Sequence, residues 1–328
     1  MQDHLLFCKP TRYCFDIFAD NDKKSARTDF NFRKKMKRIF LTTLLFIGLT
    51  AAAQDFEKIV VSQTDENELY VNDDDATELF YYKFVPSTEI KGVLVLLPSG
   101  SERVENTLKA VHLHQEAVKH GIMVIVPSIN WGTDSREAEC TFLDTIFDQI
   151  VRKHAISKDK FILSGLSNGG VISLTYAQKA SKNPQKSFLK PKAILVVDAP
   201  LDKARFYHYC EREIKKNTFA PAVEEAKWLK KRYDSLYGGS PEKYKQKYID
   251  NSIYSYGAKQ GGNARYLKDM PILIFTDLDT DWLINQRHRD LTDWNGIDCI
   301  GMINELRLLG NKQAEVIVSQ GKGYRLDG

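Results

Sequence analysis

Lys160-Phe-Ile-Leu-Ser164-Gly165-Leu-Ser167-Asn168-Gly169-Gly170-Val-Ile-Ser-Leu-Thr-Tyr-Ala177 is the stretch from which the rest of the chain can be read. A β-rich run ends at Ser164. Gly-x-Ser-x-Gly follows at once, and Val171, Leu174 and Ala177 then recur at helical spacing. A serine held in a tight strand-to-helix turn takes a strained backbone, so the residues two positions either side must be small. The turn lifts Oγ above the sheet edge, and the helix start beneath it favours developing negative charge. Ser167 is therefore the candidate nucleophile. The segment is not a phosphate loop: it lacks a Lys after the glycines and the spacing of four residues between them.

Outward from this turn, β-rich runs fall at Lys58–Ser62, Leu79–Val85, Gly92–Leu97, Ile122–Val126, Phe161–Ser164, Ala193–Val197, Ile272–Thr276 and Glu315–Ser319. The runs at 93–97, 122–126 and 193–197 are apolar at every position. Such strands are buried on both faces, which implies a mostly parallel sheet covered by helices. Phe142, Ile146, Phe147, Ile150 and Val151 form a helical stripe between two of them, and Met302 to Leu309, stopped by Gly310, forms another. The alternation predicts a doubly wound α/β fold of about eight strands. About 70 residues between the sixth and seventh runs carry helical signals and nine tyrosines but no strand. They predict a helical insertion, about 201–270, of the kind that lies over a sheet edge as a lid.

The whole chain has 328 residues and a net charge of +4, but the first 53 residues hold ten Lys/Arg and five Asp/Glu, and the remainder sums to −1. The body thus lacks the basic surplus of a nucleic-acid binder. Met36-Lys37-Arg38, an apolar run from Ile39 to Thr50 and Ala51-Ala52-Ala53 read as a signal peptide, 36–53. The apolar run is too short to span a bilayer, so no integral membrane segment is expected after cleavage. Export to the periplasm or the cell exterior follows. Residues 1–35 show no periodicity and read as the product of a start codon set too far upstream. Cys140, Cys210 and Cys299 have no metal-ligand spacing and read as small buried residues. No cofactor and no metal are expected.

The Gly165-Leu-Ser167-Asn168-Gly169 turn, with its strand and helix, resembles the α/β-hydrolase family, and the resemblance runs from about Val60 to the end of the sequence. It implies a serine hydrolase acting on an ester or an acyl or peptide bond of a small-molecule or peptide substrate, with no cofactor. Leu96-Leu97-Pro98-Ser99-Gly100-Ser101 falls where that family carries its oxyanion loop, Ser99 replacing a common His. The resemblance implies the Asn168 N–H as one oxyanion donor and the Gly100 or Ser101 N–H as the other. The family acid follows the seventh strand, where Asp277, Asp279 and Asp281 stand. Asp279 is the expected acid and Asp281 the alternative, with Asp198 and Asp202 behind them. The Asp-x-Asp-x-Asp run has calcium-like spacing but lacks the glycine and distal glutamate of an EF-hand loop.

Histidine is where this sequence departs from the family. His4, His112, His114, His120, His154, His208 and His288 all precede the eighth strand, after which the family places its base. His112 and His114 read as surface positions of a helix after the oxyanion loop. Tyr324 is a poor substitute, since a phenol near pKa 10 is a weak base at neutral pH. The expectation is a hydrolase cut short of its base, with residual activity at most, and with apolar side chains among Val316, Ile317 and Val318 left open to water. The alternative is a non-catalytic protein of the same fold that binds a ligand in the cleft under the insertion.

Overall fold

The computed structural model describes residues 56–63, 69–70, 78–131, 136–323 and 326. The expected leader, the segment before it and Tyr324 lie outside the described residues. Eight strands form one sheet in the order β1-β2-β4-β3-β5-β6-β7-β8. They are β1 (Phe56–Gln63), β2 (Glu78–Phe84), β3 (Gly92–Leu97), β4 (Ile122–Pro127), β5 (Phe161–Leu166), β6 (Ala193–Val197), β7 (Ile272–Asp277) and β8 (Ala314–Ser319). β1 pairs antiparallel with β2, and β2 with β4; every later pairing is parallel.

The apolar runs become the central strands for the reason their composition implies. All six residues of β3 are buried, as are the last five of β4. Helices cover both faces: α1 (Val104–Ala110) and α2 (Leu113–Lys119) before β4, α3 (Arg136–His154) before β5, α4 (Asn168–Lys182) before β6, and α9 (Gly296–Leu308) before β8. Phe142, Ile146, Phe147 and Ile150 of the α3 stripe are buried, with Val151 partly so, and Phe147 packs 5.3 Å, centroid to centroid, from both Phe161 and Tyr176. Met302, Ile303 and Leu306 bury one side of α9. Cys140, Cys210 and Cys299 are free and buried.

The order of the strands locates a crevice. From β3 the chain moves outward to β4, then returns past β3 to β5 and continues the other way. Adjacent strands whose connections leave in opposite directions open a gap at their carboxyl ends, and ligands bind there in open α/β sheets. The gap lies between β3 and β5, so the Pro98–Ser101 loop and Ser167 flank it.

The insertion occupies the β6-to-β7 connection. It holds α5 (Lys203–Lys216), α6 (Ala220–Tyr237), α7 (Lys245–Asn251) and a 3₁₀ segment (Lys259–Leu267). Local chemistry sets its boundaries. Asp202 caps α5 by accepting from the Ala204 and Arg205 N–H groups, and Asn217 ends it in a left-handed conformation. Pro221 opens α6, and Gly238 at φ 91° closes it. Tyr207, Tyr233, Tyr237 and Tyr248 then pack edge to face or tilted against one another. The tyrosine-rich composition is thus a second, small core under α5 and α6. A short helix, α8 (Thr280–Asn285), follows β7. On the β8 edge, Ile317 and Val318 are each 46% exposed.

Candidate active site

Ser167 has φ 52° and ψ −114°, a region that costs a non-glycine residue about 1–3 kcal/mol. Its surroundings enforce the conformation. A Cβ on Gly165 would lie 2.3 Å from the Gly169 carbonyl carbon, and one on Gly169 would lie 2.4 Å from the Leu97 carbonyl oxygen. The two glycines are therefore required by contact with backbone. The Ser167 N–H donates to the Val197 carbonyl (2.8 Å), which ties the turn to the neighbouring strand. Ser167 is the residue before α4, whose first backbone bond runs from the Val171 N–H to the Ser167 carbonyl. The Asn168 N–H, in the first turn, has no carbonyl within the helix to bond, and is open to an anion. Both polar atoms of the Asn168 side chain are enclosed and without a hydrogen bond.

The loop after β3 packs beside this turn, with a Cβ on Gly100 placed 3.5 Å from the Asn168 Cβ. Of the two donors expected there, Ser101 is already engaged. Its N–H donates to the Asn130 carbonyl at 2.9 Å, and the Asn130 side chain donates in turn to the Glu102 carbonyl at 2.8 Å. These bonds brace the loop and leave the Gly100 N–H as its candidate donor. The expectation for Ser101 is corrected accordingly: a backbone N–H satisfied by a carbonyl gives little to a second acceptor.

Asp279 stands before α8, with Oδ1 accepting from the Trp282 N–H (2.8 Å). Its other oxygen, Oδ2, faces the loop after β8, 3.7 Å from where a Cβ on Gly321 would be. That loop is where an imidazole would have to arrive to meet both Asp279 and Ser167. Asp281 is exposed in the first turn of α8. Asp277 is turned into the β7–β8 junction, where it accepts from the Ser319 hydroxyl and from the Lys322 N–H (3.0 Å). Among the described residues, no group of three or more His, Cys, Asp or Glu could hold a metal ion.

No protein-family model matches the chain, and no curated protein matches it in sequence. Solved structures do match. A carboxyl esterase from the fungus Tuber melanosporum superposes with a TM-score of 0.53 at 13% identity, over 84% of this chain and 79% of that one. An acylaminoacyl peptidase of Pyrococcus horikoshii superposes with a TM-score of 0.50 at 14% identity, over 81% of this chain and 37% of that one. The chain has an α/β-hydrolase fold. At these identities the likeness is one of architecture, and the chemistry must be argued from the residues.

Within the α/β-hydrolase fold, the insertion after β6 crosses the carboxyl edge of the sheet. α5 is fastened on the β7 side: Arg212 donates to Asp293 and Arg289 to Glu213 (3.0 Å). α6 reaches the opposite side, where Trp228 meets Trp131 with ring centroids 4.7 Å apart. Asp198, just past β6, has φ 46° and accepts from the Thr276 hydroxyl (2.7 Å). Burial pushes its carboxyl up to about 6, against the lowering pull of Thr276 and Arg205.

Among the described residues, the histidines lie elsewhere. His208 is on α5, between Glu211 (3.2 Å) and Glu242 (3.0 Å). His288 and His112 are exposed, and His154 ends α3. His114, expected on the surface, is buried against Phe84 at 4.9 Å, and burial lowers its pKa. The helix carrying it lies on β4, so its apolar side takes the imidazole inward. Sequence reasoning missed Asn130, Trp131 and Trp228. Asn130 and Trp131 follow the carboxyl end of a parallel strand, a place that favours site residues. The pairing of Trp131 with Trp228 had no local signal.

Proposed function

We propose that the protein is a serine hydrolase acting on an ester or an acyl or peptide bond. The observation that carries this reading is the Ser167 backbone, held in a strained turn between two obligatory glycines at the crevice of the sheet. Oγ would attack the carbonyl carbon, and its electron pair would move onto an oxygen facing the Asn168 and Gly100 N–H groups. Collapse would break the bond to the leaving group, which departs with the proton taken from Oγ. Asp279 would orient the imidazole that carries that proton. None of the seven histidines falls in the loop after β8, so the reading includes slow turnover by this 328-residue chain.

Labelling with a fluorophosphonate tests the proposal. The expected result is a covalent adduct on Ser167, formed slowly, and lost in Ser167→Ala. A folded protein with no adduct on Ser167 after prolonged exposure would sink the catalytic reading and leave a ligand-binding protein of the same fold.

A further inference from the structure

We propose that Trp131 and Trp228 form the acyl pocket of this site and select an aromatic acyl group, so that the substrates are esters or amides of arylcarboxylic acids. The inference rests on the serine-hydrolase reading and adds the substrate class to it.

Placement comes first. Trp131 follows β4, and the residues that fasten α5 follow β7. In the sheet order, β3, β5 and β6 lie between those strands. Four spacings of about 4.8 Å separate β4 from β7, so a hairpin touching both sides spans nearly 20 Å. It passes over the strand ends that carry Gly100, Ser167 and Asp198. The Trp131–Trp228 contact is the far side of this roof. It also adjoins the oxyanion loop, since Asn130, the neighbour of Trp131, accepts the Ser101 N–H.

Chemistry then assigns the pocket. The group that protonates the departing alcohol or amine must stand beside Asp279, on the β7–β8 side of Ser167. The leaving group faces that way. With the carbonyl oxygen held between Asn168 and Gly100, the acyl group is directed to the other side, toward β3 and β4, where the two indoles are.

The side chains favour a flat apolar group. Trp228 is 42% exposed, although Ala222, Val223, Ala226, Tyr233 and Tyr237 of the same helix are buried. It lies off the packed face of α6, so contact with α5 does not explain a tryptophan there. Its ring is tilted 53° to that of Trp131 with centroids 4.7 Å apart, so the two indoles touch and together offer one apolar aromatic wall against which a flat group can lie. Aromatic rings pair in such offset and tilted arrangements, with about 0.5–1.5 kcal/mol beyond their burial. The Arg232 guanidinium lies 5.5 Å over the Trp228 ring and adds a cation near the pair, which suits an electron-rich ring.

Binding is measured on the full chain carrying Ser167→Ala, by tryptophan fluorescence, with trans-cinnamate and hexanoate as probes. Cinnamate is expected to bind at least about fivefold tighter than hexanoate. Trp228→Leu should abolish that preference, and Trp228→Phe should retain most of it. In the unsubstituted chain, Trp228→Leu should lower kcat/KM for methyl cinnamate about five- to tenfold relative to methyl hexanoate. Equal binding of the two acids, an unchanged preference in Trp228→Leu, or a response to a neutral hexose but not to cinnamate would each overturn the proposal. Cinnamate binding does not require turnover. If Ser167 takes no fluorophosphonate while cinnamate still binds at the tryptophans, the hydrolase reading fails and the aromatic site stands.

Discussion

Asp198 illustrates how the fold holds an acid under backbone strain next to Val197, whose carbonyl accepts the Ser167 N–H. It sits at the end of β6, in a left-handed conformation, with Thr276 donating to it. Its pKa is raised to about 6 from an ordinary carboxylate value, so the folded protein favours the protonated form. The stability this provides is complete below the unfolded value near 4 and is lost as pH rises through about 6. At about 1.4 kcal/mol per unit, the ceiling is about 3 kcal/mol, reduced because Asp198 is partly solvent-exposed. Asp198→Asn keeps an acceptor for Thr276 and removes the titration. Its melting temperature relative to the parent should rise by several degrees between pH 4 and pH 8. A difference that stays flat across that range would contradict the assignment. The places of Ser167, in the turn between β5 and α4, and of Asp279, just past β7, were legible in the sequence, because a turn motif and a strand-end acid are local patterns. The engagement of the Ser101 N–H and the shift on Asp198 were not, because both depend on partners brought in by other strands.

The insertion is anchored at its root by one buried ion pair. Asp298, in the first turn of α9, accepts from Arg205 Nε (2.5 Å) and Nη2 (2.7 Å), and its Oδ2 also takes the Leu201 and Asp202 N–H groups. One carboxylate thereby fixes the start of α5 relative to α9. Replacing both charges with apolar groups of similar shape could be nearly neutral, but removing one leaves the other buried and unpaired. Asp298→Ala is expected to cost about 3–5 kcal/mol in urea denaturation, with the largest rise in hydrogen exchange across α5 and α6. A loss below about 1 kcal/mol would show that the pair does not hold the insertion. All eight strands were legible from composition, β3 and β6 to the residue, since buried parallel strands leave unbroken apolar runs. Their order was not: that β4 lies between β2 and β3 depends on pairings far apart in sequence. The helices of the insertion were legible at Pro221 and Gly238, where backbone demands are local. The path that brings Trp228 to Trp131 was not, because it depends on how α5 and α6 pack on their tyrosines.

Across the whole molecule, the sheet sets the distance at which the proposed catalytic groups would cooperate. Ser167 follows β5 and Asp279 follows β7, with β6 between them, so about 10 Å separates the two strand ends. An imidazole hydrogen-bonded at both nitrogens spans about 8 Å between its partners. The gap is thus the right size for a base supplied from the β8 side, where Asp279 Oδ2 already faces Gly321. If Ser167, the Asn168 and Gly100 N–H groups and Asp279 act as proposed, with no histidine among 320–328 to join them, the site should accept a base from solution. Imidazole at about 0.1 M is expected to raise Ser167-dependent ester hydrolysis at least about tenfold, since general-base assistance contributes about 10²–10⁴ when fully positioned. Ser167→Ala controls for direct attack of imidazole on the ester, and Asp279→Asn should remove most of the gain by withdrawing the charge that stabilises the imidazolium. Asp281→Asn should leave the gain intact, because that carboxylate is exposed in the first turn of α8. Equal stimulation of the parent and of Ser167→Ala would mean that no organised vacancy exists beside the serine. Loss of rescue in Asp281→Asn rather than in Asp279→Asn would transfer the role of the acid by two residues.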